Sequence, residues 1–395
     1  MVVLPQADTR IDRYEVSVYK IPTDMAESDG TYTWDSTTLV VVRIGTRAGE
    51  GWGYTYADIA TAILIEKTLC SVLKDHDAMA IPECWLIMRR AIRNMGRPGI
   101  ASMAIAAVDM ALWDLKARVL NIPLIMLFGR AQDGIPIYGS GGFTSYTDQQ
   151  LEHQLGMWVK QGISQVKMKV GRHPDQDLHR VRVARNALQP GTRLFVDANG
   201  AYTVKQAMRF SELFAESGVE WFEEPVSSDN LHGLNTIKAH APASIEIAAG
   251  EYGYDLPYFQ RMVDAQCVDV LQADASRCGI TGFLQVGALC ESRSLPLSAH
   301  CAPSLHLHPA CALHPLRHIE YFHDHVRIEQ TLFDGVPAPI NGRLYPDLSR
   351  AGHWPGIQTS GCRAICSPNL AGISCHGGSH REFRQVHQTR TKTSC

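Results

Sequence analysis

Gln165-Val-Lys-Met-Lys-Val-Gly171 and Leu194-Phe-Val-Asp-Ala-Asn-Gly200 decide how this chain is read. Each is a short apolar run that ends in ionisable side chains and precedes a helical stretch. The same unit recurs on either side of them. Apolar runs fall at Ile135–Tyr138, Val166–Val170, Leu194–Asp197, Trp221–Glu223, Ile245–Ala249, Val268–Gln272, Leu295–Ser298 and His318–Tyr321. Amphipathic helical stretches such as Asp148–Gln161, Val204–Ser217 and Gly282–Ser292 lie between them. Eight such strands with helical crossovers predict an α/β fold whose parallel strands close into a barrel. The competing reading is an open doubly wound sheet, which needs a glycine-rich phosphate loop after an early strand. Tyr138-Gly-Ser-Gly-Gly-Phe143 lacks the G-x-G-x-x-G spacing, so its glycines read as a tight turn.

Upstream the texture differs. Arg13–Ile21 alternates, Thr38–Ile44 is a second strand, Gly45–Gly51 reads as a turn, and Gly51–Tyr56 begins a third strand. From Ala57 to about Leu127 the patterns are helical. Ile59–Leu73 is amphipathic, and Ile100–Val119 is alanine-rich and mostly apolar, so it reads as a buried helix with Trp113 in the core. The expected organisation is an α+β domain over residues 1–130, a barrel over 131–328, a return to the first domain over 329–350, and a departing tail over 351–395.

Composition narrows the function. The 395 residues are 45% hydrophobic and 19% charged, as expected of a globular chain with a large core. A net charge of −3 offers no global attraction for nucleic acid or an anionic membrane. No apolar run reaches the roughly 20 residues of a membrane-spanning helix. Residues 1–16 lack the basic and apolar regions of a signal peptide, so a cytoplasmic location is expected. The eleven cysteines are scattered, without disulfide-framework or zinc-site spacing.

In a barrel, chemistry gathers at the C-terminal strand ends. Those ends carry Lys167 and Lys169, Asp197 and Asn199, Glu223, Glu251, Asp274, His300 and Glu320. The steps from Lys167 are 30, 26, 28, 23, 26 and 20 residues, about one strand–helix unit each. Asp197, Glu223 and Glu251 are carboxylates on consecutive strands, and like charges brought together need a cation. An all-oxygen set favours Mg²⁺ over Zn²⁺. Periodicity alone does not say whether Glu223 or Glu224 points inward. Lys167 and Lys169 share one face of a strand. Two ammonium groups side by side lower each other's pKa, toward the range of a general base. Opposite them, Asp274 is placed to orient His300. Two bases flanking a metal suit removal of a proton α to a carboxylate.

The strings VKMKVG, LFVDANGAY, WFEEPV, IAAGE, LQADASRCGITG, PLSAHCAP and HIEYF together resemble the enolase superfamily, and within it the mandelate racemase subgroup. The likeness spans about Arg10 to Arg350. It implies a modified TIM barrel of (β/α)7β type with an N-terminal capping domain. It implies Lys169 as one base with Lys167 tuning it and touching the substrate carboxylate, and one Mg²⁺ per subunit on Asp197, Glu223 and Glu251. It further implies substrate contact by Asn199, a second acid/base in His300 with Asp274, and a hydrogen bond from Glu320 to the enolate. A K-x-N motif would have indicated the glucarate dehydratase type. A lysine at Asp274 would have indicated the muconate cycloisomerase or dipeptide epimerase type. A mobile loop around Asp24–Trp34 and a turn at Gly51–Tyr56 would close over the substrate. The implied partner is a small carboxylate, a sugar acid, in a homo-oligomeric enzyme. Dehydration to a 2-keto-3-deoxy acid is the leading activity, with racemisation or cycloisomerisation on the same residues as alternatives. A non-catalytic member of the fold would lack a carboxylate or base, and none is missing.

Two motifs read as decoys. His306-Leu-His308 follows the seventh strand rather than the first, as a zinc hydrolase would require, and Cys301 reads as a small packed side chain. The tail is the departure from the family pattern. With one choice of synonymous codons, Ala351–Cys366 read one nucleotide later spells PGTGLEFKRQDAERYA, the ending the family leads one to expect. A frameshift near codon 351 is therefore hypothesised, which re-sequencing tests; a tail read in frame would be disordered. Four of the eleven cysteines lie in those last 45 residues, with five Lys/Arg against one Asp/Glu.

Overall fold

The computed structural model describes residues 8–353. Strands β1 (Arg13–Ser28), β2 (Thr33–Thr46) and β3 (Gly49–Tyr56) form an antiparallel sheet in that order. The Ile100–Val119 helix lies along β3. Gly51 and Gly53 allow that approach, since a Cβ on Gly53 would stand 2.1 Å from the Ala107 carbonyl oxygen. Alternation puts Val40, Val42 and Ile44 on one face of β2, where they join Ile65, Leu69, Met88 and Leu112 in a second apolar core. The Ile59–Leu73 stretch is helical throughout, with a π-helical turn at Ile65–Leu69.

The barrel strands are β4 (Ile135–Gly141), β5 (Gln165–Lys169), β6 (Arg193–Asp197), β7 (Val219–Glu223), β8 (Glu246–Ala249), β9 (Val270–Ala273), β10 (Leu297–Ala299) and β11 (Leu316–Phe322). Each pairs in parallel with the next, and β11 pairs with β4 to close the ring. Even and odd positions sort by face. Tyr138, Phe195, Trp221, Ala248 and Val270 pack together inside the ring and floor it, while Val166, Met168, Val196 and Ile247 belong to the main core outside. Among the described residues, no helix is long and apolar enough to cross a membrane.

Several expectations are corrected. The glycines after Tyr138 are not a turn: Gly139 and Gly141 lie within β4, where a Cβ would stand 2.4 Å from the Trp158 ring and 2.4 Å from Gln154 Oε1, respectively. The close seating of the Asp148–Lys160 helix on β4 requires them. The chain turns only at Gly142, at φ +55. Asp24–Trp34 is not an open loop but the tip of the β1–β2 hairpin, with a register shift between Pro22 and Glu27. Its turn is held by Asp29 Oδ1, which accepts from the Thr31 and Tyr32 amides at 2.6 and 2.7 Å. The tip is docked on the barrel. Arg172 Nη2 donates to the Tyr32 carbonyl at 2.6 Å, Ser145 Oγ to the Ala26 carbonyl at 2.7 Å, and a Cβ on Gly30 would stand 2.4 Å from the Ala198 carbonyl oxygen. Gly51–Tyr56 is strand, as its pattern predicts, and not the closing turn that the resemblance implied; the β2–β3 turn lies at Arg47–Ala48, within the expected Gly45–Gly51.

At the end of the described residues the chain lies against the capping domain. The Gly352 amide donates to the Ile122 carbonyl at 2.9 Å, and the His353 amide to Asp114 Oδ1 at 2.6 Å. The expectations of disorder or a shifted frame begin at residue 351; residues 351–353 are described and lie against Ile122 and Asp114, and the rest of the tail, 354–395, lies outside the described residues.

Candidate active site

All the strand-end residues singled out above converge at one mouth of the barrel. On β5, Lys167 and Lys169 point inward and are buried. Lys167 Nζ lies 2.6 Å from Glu223 Oε1, 2.8 Å from Glu320 Oε1 and 3.5 Å from Asp197 Oδ2. Lys169 Nζ lies 2.5 Å from Asp197 Oδ2. Across the mouth, His300 Nδ1 is 3.0 Å from Asp274 Oδ2, and His300 Nε2 is 3.2 Å from Glu251 Oε2. Glu320 Oε1 accepts from Ser140 Oγ at 2.5 Å, and its Oε2 accepts from the Cys301 amide at 3.0 Å. The register of β7 decides between the two glutamates. Glu223 follows Trp221 on the inner face, where it also accepts from Trp221 Nε1 at 3.0 Å.

Oxygens of Asp197, Glu223 and Glu251 lie within 4.8 Å of one another, and all three residues are buried. Burial and the neighbouring Asp197 push Glu223 up to about 8 despite Lys167. Glu224, also buried, is raised well above the usual carboxylate range by burial, Glu251 and Asp197. Such crowding of hard oxygens is relieved by a hard divalent cation, so Asp197, Glu223 and Glu251 fit one.

The other carboxylates behave oppositely. Burial alone would raise Asp274, but the hydrogen bond and charge of His300, with Arg277, hold it well below its ordinary value. For Glu251 burial is likewise outweighed by His300, Arg277 and Lys169, and for Glu320 by Lys167, His300 and Lys169. His300 is raised well above its usual value: burial opposes this, but Cys301, Glu251, Glu320 and Asp274 prevail. Lys167 does lower Lys169 as expected, but the net shift of each lysine is upward. Burial favours a lower pKa in each, yet Asp197 raises Lys169, and Glu223 with Glu320 raises Lys167. Each ammonium has its own carboxylate, and that attraction exceeds the repulsion between the amines.

The loops after the strands are bent sharply to aim these groups. Asn199, Glu224, Cys301 and Ala302 all take left-handed φ, between 38 and 52. Such backbone is costly away from glycine and gathers at functional sites. Asn199 sits beside Asp197, donating its amide to Asp197 Oδ1 at 2.8 Å, and its own buried Oδ1 has no hydrogen-bond partner.

Two neighbours escaped the reading of the sequence. Arg277 Nε is 3.4 Å from Asp274 Oδ2, and Arg277 Nη2 is 3.8 Å from Glu251 Oε1, so the guanidinium ties two strand ends together. The D-x-x-R spacing at a helix start was the available signal. Cys301 is not merely packing: its Sγ lies 3.2 Å from His300 Nε2. No local pattern announces that contact. Of the decoys, His306 is structural, its Nε2 accepting from the Ala275 amide at 2.8 Å. His308 accepts from the Ile125 amide at 3.2 Å.

The family follows from two matches. Residues 150–353 fit the family described as enolase C-terminal domain-like, and residues 11–129 fit the N-terminal domain of mandelate racemase and muconate lactonizing enzymes. The chain belongs to the enolase superfamily, in its mandelate racemase subgroup. Among solved members of the superfamily, a mandelate racemase/muconate lactonizing enzyme-like protein from Rubrobacter xylanophilus has a TM-score of 0.89 at 48% identity, covering 91% of this chain and 100% of its own. The 3,6-anhydro-alpha-L-galactonate cycloisomerase of Streptomyces coelicolor is 34% identical over 324 residues, 80% of this chain and 88% of that enzyme. The L-talarate/galactarate dehydratase of Salmonella typhimurium is 30% identical over 307 residues, 75% of this chain and 77% of that enzyme. Its crystal structure with Mg and L-lyxarohydroxamate has a TM-score of 0.82 at 26% identity, covering 92% of this chain and 95% of that chain.

Proposed function

We propose that this member of the mandelate racemase subgroup is a Mg²⁺-dependent acid-sugar dehydratase. The observation that carries the reading is the pair of opposed bases, Lys169 and the Asp274–His300 dyad, flanking three clustered carboxylates. The dehydratase and cycloisomerase relatives support a sugar-acid substrate. Asp197, Glu223 and Glu251 would hold the ion; when bound, it draws off the negative charge of Asp197 that raises Lys169 and adds positive charge beside the substrate carboxylate. In this reading Lys167 and Asn199 contact that carboxylate. The Lys169 amine takes the α-proton from C2. The C2–H electron pair then forms the C2–C3 double bond as the C3–O bond breaks. His300 Nε2 donates its proton to the departing hydroxyl, which leaves as water. The enol becomes the 2-keto-3-deoxy acid. Glu320, held ionised by Lys167 and His300 in the resting site, has to take up a proton before it donates to the enolate oxygen, and Asp274 keeps Nδ1 of His300 occupied so that Nε2 carries the exchanging proton.

Cycloisomerisation is the second reading, favoured by the likeness to the Streptomyces coelicolor enzyme. A screen of aldonic and aldaric acids and their lactones with added Mg²⁺ separates the two. A new 2-keto acid, abolished by EDTA and restored by Mg²⁺, is expected. Ring opening without loss of water would replace dehydration with cycloisomerisation. No product and no α-deuterium exchange from any acid would overturn both.

A further inference from the structure

His300, Cys301 and Glu320 bring three kinds of metal ligand together on the His300 side of the mouth, the other oxygen of Glu320 lying 2.8 Å from Lys167 Nζ. His300 Nε2 and Cys301 Sγ are 3.2 Å apart, Cys301 Sγ and Glu320 Oε2 3.5 Å, and His300 Nε2 and Glu320 Oε2 3.7 Å. All three residues are buried, with at most 8% exposure. Zinc bonds of ~2.3 Å to sulfur and ~2.0–2.1 Å to nitrogen or oxygen place tetrahedral ligand atoms about 3.3–3.6 Å apart. The sulfur–oxygen distance of 3.5 Å falls in that range, and the 3.2 and 3.7 Å distances miss it by only about 0.1 Å. The surroundings suit it as well. Asp274 occupies His300 Nδ1 at 3.0 Å, the carboxylate–histidine arrangement that leaves Nε2 free to ligate. The left-handed backbone of Cys301, at φ 52, turns its sulfur back onto the ring, and the Cys301 amide holds Glu320 Oε2 in place at 3.0 Å.

The ligand chemistry differs from that of the neighbouring set. Asp197, Glu223 and Glu251 are all oxygen and suit a hard cation, whereas sulfur with imidazole selects a softer one. We propose that His300, Cys301 and Glu320 form a second, inhibitory site for a thiophilic divalent cation such as Zn²⁺. On coordination the Cys301 thiol and the His300 Nε2–H each give a proton to solvent, the sulfur binding as the thiolate and the ring as the neutral imidazole, with no change of oxidation state. The Nε2 lone pair is then committed to the metal, and the acid/base on this side of the mouth is silenced. Glu251 Oε2, from the oxygen set, lies 3.2 Å from the same nitrogen, so the two sets adjoin there. The inhibition rests on the function proposed above, whereas the binding does not.

Binding is therefore read first, without substrate. The Mg²⁺-saturated protein is titrated with Cd²⁺, following the ultraviolet thiolate-to-cadmium band. The wild type is expected to show one equivalent of that band that Cys301→Ser lacks. An identical titration in Cys301→Ser would place the metal on other thiols and overturn the site. Anomalous scattering from zinc-soaked wild-type crystals tests it without a variant. A peak bonded to Cys301 Sγ is expected, and a peak only among Asp197, Glu223 and Glu251 would refute it. With a turned-over substrate in hand, Cys301→Ser should raise the Zn²⁺ concentration for half-inhibition at least about tenfold at saturating Mg²⁺. Inhibition unchanged in the variant, or fully reversed by more Mg²⁺, would show that zinc acts by displacing magnesium.

Discussion

At the barrel mouth, Asp274, Glu251 and Glu320 face His300, Arg277 and Lys167. Where the capping domain meets the barrel, Asp109 and Glu329 are just as buried but face only neutral donors. Asp109, on the Ile100–Val119 helix, accepts from Thr281 Oγ1 at 2.6 Å and the Thr281 amide at 2.9 Å. Glu329 accepts from Tyr54 Oη at 2.6 Å and Ser304 Oγ at 2.7 Å. Glu27 in the docked hairpin accepts from Trp34 Nε1 at 2.7 Å, with Asp324 and Asp24 nearby. The outcomes are opposite. Asp274, Glu251 and Glu320 are held below their ordinary values, whereas Glu223, although beside Lys167, is pushed up to about 8 by burial and Asp197. Burial pushes Asp109 and Glu329 up to about 7, and burial with Asp324 pushes Glu27 up to about 8. Neutral dipoles repay only part of the cost of burying a charge, and a counter-charge repays more. The mouth thus keeps ionised groups for chemistry. The domain seam uses carboxyl groups as hydrogen-bonding clamps.

The largest expected effects separate the two sides of the mouth. Lys169→Ala should lower kcat/KM at least about 10³-fold and abolish α-deuterium exchange. His300→Asn should lose dehydration to a similar degree while retaining exchange at the Lys169 face. Exchange surviving in Lys169→Ala, or near-wild-type turnover in either variant, would show that the assignment of the bases is wrong.

The seam is probed by stability. Asp109→Ala removes the partner of Thr281 across the two domains and should cost about 2–3 kcal/mol in denaturant unfolding. The charge-paired mouth should be unaffected, so Mg²⁺ affinity by calorimetry should hold. An unchanged unfolding midpoint would mean that the domains are not clamped there.

The smallest effect is a pH dependence. Glu27 has a raised folded value, so its contribution to stability is fully present below about 4.5 and is lost as pH rises through about 8. Glu27→Gln cannot ionise. Its Tm relative to wild type should rise between pH 5 and pH 9, with a gain of about 1–2 kcal/mol at the upper end. A difference that stays flat with pH would place Glu27 with the ion-paired carboxylates instead.

Much of this was readable from the chain. The eight strands follow from apolar runs about one strand–helix unit apart, shorter and uneven over the last two, and the seven charged strand ends follow from the same spacing. What escaped had non-local causes. Gly139 and Gly141 resemble a turn until the Trp158 and Gln154 side chains are set against them. The extension of β1 through Pro22–Ser28 is hidden by a register shift that breaks its alternation. The helix from Ala275 to Ser292 carries a break at Gly279, φ 76, where a Cβ would stand 2.8 Å from Asp109 Oδ2. That break has meaning only once the capping helix is in place.

The sequence by itself determined the architecture and which residue types reach the mouth, because strand alternation and the strand–helix interval are local and periodic. Only the tertiary structure decided that Glu223 rather than Glu224 turns inward, that Cys301 Sγ meets His300, and which carboxylates are held ionised. Those outcomes depend on distances of a few ångström between strands far apart in the chain, and electrostatic energy in a low-dielectric interior changes steeply over such distances.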